Sequence, residues 1–444
     1  MADLLSWGRY PHHPQHPQAV YWADDVAPAL SGIVDSHATS LPYGMGRSYG
    51  DSCLAASNHV IMTQGMNRIL AADWKTGVIL AQAGLSFADI IQIALPRGWF
   101  LPVTPGTKYV SLGGAVANDV HGKNHHVMGT FGRHVLRLFL YRSDEGMLEC
   151  SRQIRPNLFA ATIGGLGLTG VIVAVEFQLR PVVTSNINQT SIRFGRLQDF
   201  FQLSASHDQS HEYTVAWVDC LATGQHAGRG HFIAGNHALK DEAPYSHTDL
   251  KLAPSKGFKM PFDPPFSLVN SLSLRAFNTL YYHRQLQERI DSRVNYDPFF
   301  YPLDGIKQWN RMYGRAGFQQ YQCVIPEQDG QAVIAGIMQE IAKSGTGSFL
   351  AVLKQCGDIV SPGLLSFPLH GVSLALDFPQ HDQKNTLLFN RLDALVHEAG
   401  GRLYPAKDAH MSAAHFQKAY PQWSTIEAIR DPKLLSQFWQ RVTQ

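Results

Sequence analysis

Hydrophobic positions alternate in some stretches of the chain and recur at helical spacing in others, and the change between the two periods outlines the fold. Val171, Val173, Val175, Phe177 and Leu179 interleave with Ile172, Ala174, Glu176 and Gln178, the two-residue period of a strand. Leu136 to Arg142 reads as another strand, as do His59 to Thr63 and Gly77 to Ala83. Ser86 opens the helix FADIIQIAL, Asp89 three residues on completes a capping box, and Pro96 with Gly98 stops it. Past Pro181 the texture changes to short strands bearing aromatic residues, Tyr213 to Asp219 and His231 to Gly235, followed by the strand-like QQYQCVIP and HGVSLALDFP. Asn385 to Ala399 places Leu388, Leu392, Leu395, Val396 and Ala399 on one helical face and ends at Gly400 and Gly401. A closing helix from Ser412 is expected, with Trp423 and Trp439 as anchors. Residues 236 to 266, carrying Pro244, Pro254, Pro261, Pro264 and Pro265, read as a long mobile loop.

Three glycine-rich stretches interrupt these patterns. From Thr104 to Val135, Gly106, Gly113, Gly114, Gly122, Gly129 and Gly132 surround the polar group His121, Lys123, Asn124, His125 and His126. Glycine weakens helix and strand alike, so the stretch predicts irregular backbone wrapped closely round a large polar ligand. A tight loop with incidental histidines is the alternative. LPYGMGRSYGDSCLA spaces Gly44, Gly46 and Gly50 so that successive N–H groups can form an anion nest suited to a pyrophosphate, with a plain turn as the alternative. Gly165, Gly167 and Gly170 form a literal GxGxxG. They precede a strand rather than a helix, and no acidic residue follows about 20 positions on, so a Rossmann dinucleotide site is rejected.

Composition narrows the classes. The chain has 444 residues, enough for two to three domains, and is 45% hydrophobic. Lys and Arg number 37 against 35 Asp and Glu, so there is no basic field for nucleic acid. Five scattered cysteines form no CxxC pair and no zinc spacing, which predicts a reduced, cytoplasmic chain without a metal site. Neither a signal peptide nor an apolar run of about 18 residues is present. His12, His13 and His16 sit among prolines in what reads as a solvated entry loop. No GxSxG elbow argues for a hydrolase.

Taken together, GMGRSYGDS, PGTKYVSLGGAVANDVHGKNHH, GGLGLTGVI and GRLYPAKD resemble the FAD-binding oxidases of the vanillyl-alcohol oxidase superfamily, along a stretch running from LLSWGRYP to the AKD loop. The resemblance implies an α+β fold. Its FAD-binding domain would be in two parts, residues 1–182 and a returning segment 402–444, around an inserted substrate domain, 183–401, built on an antiparallel sheet covered by helices. Pro42, Tyr43, Gly44, Met45, Gly46, Arg47, Ser48, Tyr49, Gly50, Asp51 and Ser52 match the first pyrophosphate loop. Gly106, Ser111, Leu112, Gly113, Gly114, Asn118, Asp119, Val120 and His121 match the second, and Ile172 and Tyr404 match further FAD contacts.

By the same resemblance His121, Lys123 and Lys407 are active-site positions, and Tyr301, Gln320, Gln322 and Lys354 belong to the substrate pocket. Oxidising a secondary alcohol needs a proton acceptor and positive charge near the flavin, and these are residues of the required types. Arg47 stands where covalently flavinylated relatives carry a histidine, which implies FAD held without a covalent bond, since guanidinium stays protonated. Ala375 replaces a cysteine of the family, and Ser373 and Val215 replace polar pocket residues. The implied reaction oxidises the 2'-hydroxyl of a polyprenyl-phosphoryl pentose (ribose) to the 2'-keto sugar. That is the first half of an epimerisation toward arabinose, which a separate NADH-dependent reductase would complete. The substrate is thus lipid-linked, with at most peripheral membrane contact. An oxidase of a soluble alditol or sugar lactone is the alternative. A flavoprotein that only carries electrons or binds a partner is a third reading, disfavoured by the retained catalytic set.

Overall fold

The computed structural model describes residues 4–239, 250–253 and 257–444. Its first layer is organised on the alternating stretch Val171–Gln178. This strand lies between Val78–Gln82 and Val135–Arg142 in an antiparallel five-stranded sheet completed by Ile69–Asp73 and Gly146–Ser151 at the edges. Both faces of the central strand are buried, which is why apolar residues occupy both phases of its alternation. Phe177 and Val175 pack with Phe87, Ile90, Leu112 and Val116. Val171 and Val173 pack with Val26, Leu30 and Ile33 of the helix Val26–His37 and with Ile61. Ile61 belongs to a small parallel sheet of His16–Ala19, His59–Met62 and Leu41–Tyr43, so His16 is in a strand rather than a loop.

The helix Phe87–Ala94 forms as its capping box predicts. The Asp89 N–H donates to Ser86 Oγ at 3.1 Å and the Ser86 N–H donates to the Asp89 carboxylate at 3.2 Å. Gly98, at φ +82°, ends the turn that follows. The central glycine-rich stretch departs from expectation, because it contains the helices Leu112–Ala117 and His125–Met128. Ser111 caps the first of these, and burial of Leu112, Ala115 and Val116 outweighs the low helix propensity of Gly113 and Gly114.

The second layer is an eight-stranded, wholly antiparallel sheet. Its order is Arg289–Asn295, Asn186–Phe194, Gly230–His237, Tyr213–Val218, Val352–Cys356, Gly371–Pro379, Phe318–Pro326 and Arg402–Leu403. One face, with Ala216, Phe232, Leu353, Leu374 and Tyr321, is covered by the helices Leu197–His207, Glu327–Ser344 and Asp382–Glu398. The α+β architecture with a helix-covered antiparallel sheet is therefore the one observed.

Two further expectations change. Of the stretch 236–266, residues 240–249 and 254–256 lie outside the described residues, while Phe258–Lys259 forms a short parallel pair with Ile306–Lys307. The closing segment is three helices, Ala413–Ala419, Trp423–Ile429 and Gln437–Thr443, in place of one. Pro421 and Pro432 stand between them, and proline removes a helical N–H and clashes with the preceding turn. Trp439 is fully buried and Trp423 partly so.

Candidate active site

The open face of the large sheet looks onto the glycine loops, and between them lies a cavity of about 670 Å³. Small-molecule and cofactor sites span roughly 300–1,000 Å³. Every second residue of neighbouring strands lines it: Gln189 and Ser191, Ile233, Val215 and Trp217, Val352 and Lys354, Ser373 and Ala375, Gln320 and Gln322. The antiparallel register sets Lys354 opposite Ser373 and Gln322 opposite Ala375, gathering distant sequence positions into one patch.

Close backbone approach builds the facing wall. Gly46 has φ +60°, and a Cβ there would stand 2.0 Å from the Tyr43 hydroxyl. A Cβ on Gly113 would come within 2.9 Å of the Ala83 Cβ. The N–H groups of Leu112, Gly113 and Gly114 are spent on Leu85 O (2.8 Å), Ala83 O (2.7 Å) and Ser111 Oγ (3.2 Å). This loop therefore offers a flat glycine surface rather than free donors. Tyr404 clamps it, its hydroxyl donating to Asn118 O at 2.9 Å while the Asn118 amide donates to Gly114 O at 2.8 Å.

The returning segment is locked to the first loop. The Tyr49 N–H donates to Ala406 O at 2.9 Å, and a Cβ on Gly50 would lie 1.6 Å from Asp408 O. Arg441 bridges the carboxylates of Asp51 and Asp408 at 2.8 Å each. Lys407, carried between these contacts, enters the cavity with Nζ 3.5 Å from the centroid of the Tyr49 ring.

Titratable groups converge here. Burial lowers the Lys407 pKa to about 7 against the opposing pull of Asp377. Burial raises the Asp377 carboxyl to about 7 against its hydrogen bond from Gln320 and the charge of Lys407. Gln320 Nε2 donates to Asp377 Oδ1 at 2.6 Å, and Gln320 also hydrogen-bonds the buried Tyr49 side chain. Burial, with Lys354 beside it, holds the His121 pKa well below the ordinary imidazole value, so the ring is neutral at pH 7. Lys354 Nζ donates to His121 Nδ1 and to Gly122 O, the latter at 3.0 Å, while the Gln322 amide lies 3.3 Å from His121 Nε2. Lys123 Nζ donates to the carbonyls of Phe299 (2.9 Å) and Phe300 (3.1 Å) at the end of the helix Tyr296–Phe300, and burial, then Lys354, lowers its pKa to about 7.

Comparison with known proteins agrees with this geometry. Residues 21–151 match the family described as FAD binding domain. The chain is 34% identical over 403 residues, 88% of its length and 85% of the relative's, to decaprenylphosphoryl-beta-D-ribose oxidase of Mycolicibacterium smegmatis. It is 34% identical to an uncharacterized protein of Streptomyces coelicolor over 77% of this chain and 94% of that one. L-gulonolactone oxidase of Mus musculus is 28% identical over 31% of each chain. The chain belongs to the vanillyl-alcohol oxidase superfamily of FAD-binding oxidases, in the decaprenylphosphoryl-β-D-ribose oxidase family. As a member of that family it is an FAD-dependent oxidoreductase acting on CH–OH groups.

The residues fit FAD. Among the described residues the buried Ser52 hydroxyl has no hydrogen-bond partner and faces the cavity, and nothing lies within 4 Å of where a Gly106 Cβ would stand. Pro42, Gly44, Met45, Gly46, Arg47, Ser48, Tyr49, Ser52, Gly106, Ser111, Gly113, Gly114, Asn118, Val120, His121, Ile172 and Tyr404 all line it. So do Lys123, Lys354, Lys407, Gln320 and Gln322.

Tyr43, Gly50, Asp51, Leu112, Asp119 and Tyr301 stand behind the lining instead. The protein itself satisfies their polar groups. Asp119 accepts from Ser366 Oγ at 2.6 Å and Gly132 N–H at 2.9 Å, and Tyr301, only 1% exposed, pairs its hydroxyl with Thr104 Oγ1 at 2.7 Å. His125 and His126 also lie outside the lining.

Sequence reasoning missed Trp7, Trp217, Tyr281, Arg284 and Asp377. Trp7 carries the Arg47 guanidinium 3.9 Å above its ring, and Trp217, Tyr281 and Arg284 line the cavity. Trp217 shares a strand face with Val215, and Asp377 shares one with Ala375, so the two-residue period was the available signal.

Proposed function

We propose that the enzyme oxidises the 2'-hydroxyl of a polyprenyl-phosphoryl pentose to the 2'-keto sugar. The observation that carries this reading is the shape of the site. Lys407, His121, Lys354, Gln320 and Gln322 surround one region of the cavity, and the cavity extends to Trp217, Tyr281 and Arg284, an apolar and cationic end suited to a phosphate and the start of a lipid chain. In this reading residues 1–182 and 402–444 form the cofactor domain and 183–401 the substrate domain, with Arg402–Leu403 still paired to the edge of the large sheet where the chain returns. The name of the M. smegmatis relative points to the same class of substrate.

Bound FAD supplies the two-electron acceptor for the hydride that leaves C2. Gln320, held by Asp377, and Gln322, beside His121, line the cavity as amides that would meet sugar hydroxyls. Lys354 holds the neutral His121 ring through Nδ1, and the Nε2 side, 3.3 Å from the Gln322 amide, is where substrate would meet the pair. Lys407, with a pKa near neutrality, is free amine in a large fraction at pH 7 and takes the hydroxyl proton at Nζ. The ammonium so formed lies within the field of Asp377. Lys123 orients the end of the helix Tyr296–Phe300 that walls the cavity. The 2'-keto product then requires a separate NADH-dependent reductase to complete inversion at C2.

FAD is held without a covalent bond. Arg47 is no nucleophile, and burial pushes the thiol of Cys53, the cysteine lining the cavity, up to about 12. Acid precipitation is expected to release the yellow colour into the supernatant, and colour retained in the pellet refutes this. The substrate is tested by anaerobic mixing of the yellow protein with a short-chain polyprenyl-phosphoryl ribose and, separately, with alditols and sugar lactones. Bleaching by the lipid-linked sugar is expected; bleaching by a soluble sugar alone would move the enzyme to the lactone and alditol oxidases.

A further inference from the structure

The helix Ser271–His283 is apolar on two sides. Asn270 caps it, its side chain accepting from the N–H groups of Leu272 and Ser273 at 3.1 Å. Inward, Leu274 and Asn278 are buried and Tyr281 lines the active-site cavity. Outward, Leu272, Ala276 and Leu280 recur every four residues and form a stripe in solvent. Phe258, Phe262 and Phe266 precede the helix and Leu286 follows it, and together with Leu272 and Leu280 these side chains are between 59% and 83% exposed. Soluble proteins rarely leave so large an apolar patch uncovered.

Charge and position identify what covers it. From 257 to 286 the acidic residue is Asp263 alone, and it is held by Arg9 at 2.7 Å and Arg311 at 2.8 Å. Lys259, Arg275 and Arg284 are exposed on the same stretch, and Lys307 is exposed on the strand paired with Phe258–Lys259. Phenylalanine and leucine flanked by basic residues match an anionic bilayer surface, where the rings sink among the acyl chains and the cations meet phosphates. A second copy of the chain is a poorer occupant, because a two-fold dimer would set this basic face against itself. Tyr281 and Arg284 join the patch to the cavity, with the Arg284 guanidinium 3.8 Å above the Tyr281 ring. Among the described residues no helix is long and apolar enough to cross a membrane, so contact at the surface is the mode this face allows.

We propose that the outer stripe of the helix Ser271–His283, with Phe258, Phe262 and Phe266, docks on an anionic lipid bilayer and holds the mouth of the cavity against it. In its purpose, delivery of a lipid-linked sugar from the membrane to Lys407, this rests on the function proposed above. In its physics it does not.

The test is sedimentation of the FAD-loaded full chain with vesicles of phosphatidylcholine, with and without phosphatidylglycerol, at low and high salt. The protein is expected to bind the anionic vesicles and to be released by salt. The double variant Leu272→Glu, Leu280→Glu should bind at least about tenfold more weakly. Lys259→Gln and Arg275→Gln should each weaken binding about fivefold on anionic vesicles and leave neutral vesicles unaffected. All these side chains are exposed, so flavin absorbance and thermal midpoint should match the unmodified protein. Failure of the unmodified protein to sediment with anionic vesicles overturns the proposal. So does a Leu272→Glu, Leu280→Glu variant that binds as well as the parent, or one that loses vesicle binding only by dissolving a dimer seen in ultracentrifugation. If vesicle binding follows the expected pattern but no lipid-linked pentose bleaches the flavin, the docking surface stands and the substrate reading falls.

Discussion

The two walls of the cavity are built on different principles. On the cofactor side, short loops hold their shape through close backbone approach: Gly46 at positive φ, Gly113 against Ala83, Gly50 against Asp408. Each contact has no room for a side chain, so the residue type is dictated at that point of the backbone. On the substrate side the wall is one face of an antiparallel sheet, where each strand contributes every second residue and a side chain can be exchanged without moving the backbone. The first wall should therefore tolerate little change and hold one ligand, whereas the second can be retuned. Ser373, Ala375 and Val215 all lie on that second wall.

Lys407 crosses from one wall to the other, and its loss should have the largest effect. Lys407→Ala is expected to slow reduction of the flavin by substrate about 100- to 1,000-fold while FAD stays bound, since the glycine loops are untouched. Stopped-flow reduction of a flavin-loaded mutant at the parent rate would remove Lys407 from the chemistry. Lys407→Arg separates charge from proton transfer: it keeps the cation but cannot accept the proton, so it should remain slow.

Gly50→Ala tests the lock between the first loop and the returning segment. A Cβ forced to within 1.6 Å of Asp408 O must displace backbone, which should cost about 1–3 kcal/mol of stability and loosen FAD and Lys407 together. A thermal midpoint and FAD affinity equal to the parent's would show that the two segments are not coupled as described.

Smaller is the effect of pH. Burial depresses the Lys407 pKa to about 7, so the reactive free amine increases as pH rises through neutrality. The rate of flavin reduction should climb about tenfold between about pH 6 and about pH 8 and then level off. A flat profile, or one that falls with rising pH, would contradict proton acceptance at Nζ.

Ala375→Cys should alter reduction by less than about twofold, because hydride transfer needs no thiol there. The variant should nevertheless be labelled by a cavity-directed electrophile, whereas the parent should carry no adduct on the strand Gly371–Pro379, as read by mass spectrometry of the intact and digested protein. An adduct on that strand in the parent would overturn the placement of Ala375 in the wall.

Much of the glycine-rich wall was legible in the sequence, though Tyr43, Gly50, Asp51, Leu112 and Asp119 stand behind its lining. Glycine spacing, the Ser86–Asp89 capping box and the strand period of Val171–Gln178 can be read along the chain, because φ limits, caps and side-chain alternation act within a few residues, whereas the contacts that crowd Gly50 and Gly113 come from Asp408 and Ala83. What it could not reveal is which polar groups the protein keeps for itself. Asp119 and Tyr301 carry motif positions yet are satisfied by Ser366 and Thr104, partners 247 and 197 residues away. Nor could it show that Gly113 and Gly114 enter a helix, since burial of Leu112 and Val116 against the sheet overrides their propensity. The pairing of Lys354 with His121, of Asp377 with Gln320, and the outward second stripe on Ser271–His283 were decided only by tertiary structure. Antiparallel register joins strands far apart in the chain, and burial, which sets the protonation of Lys407 and His121, is a property of everything packed around a residue rather than of the residue itself.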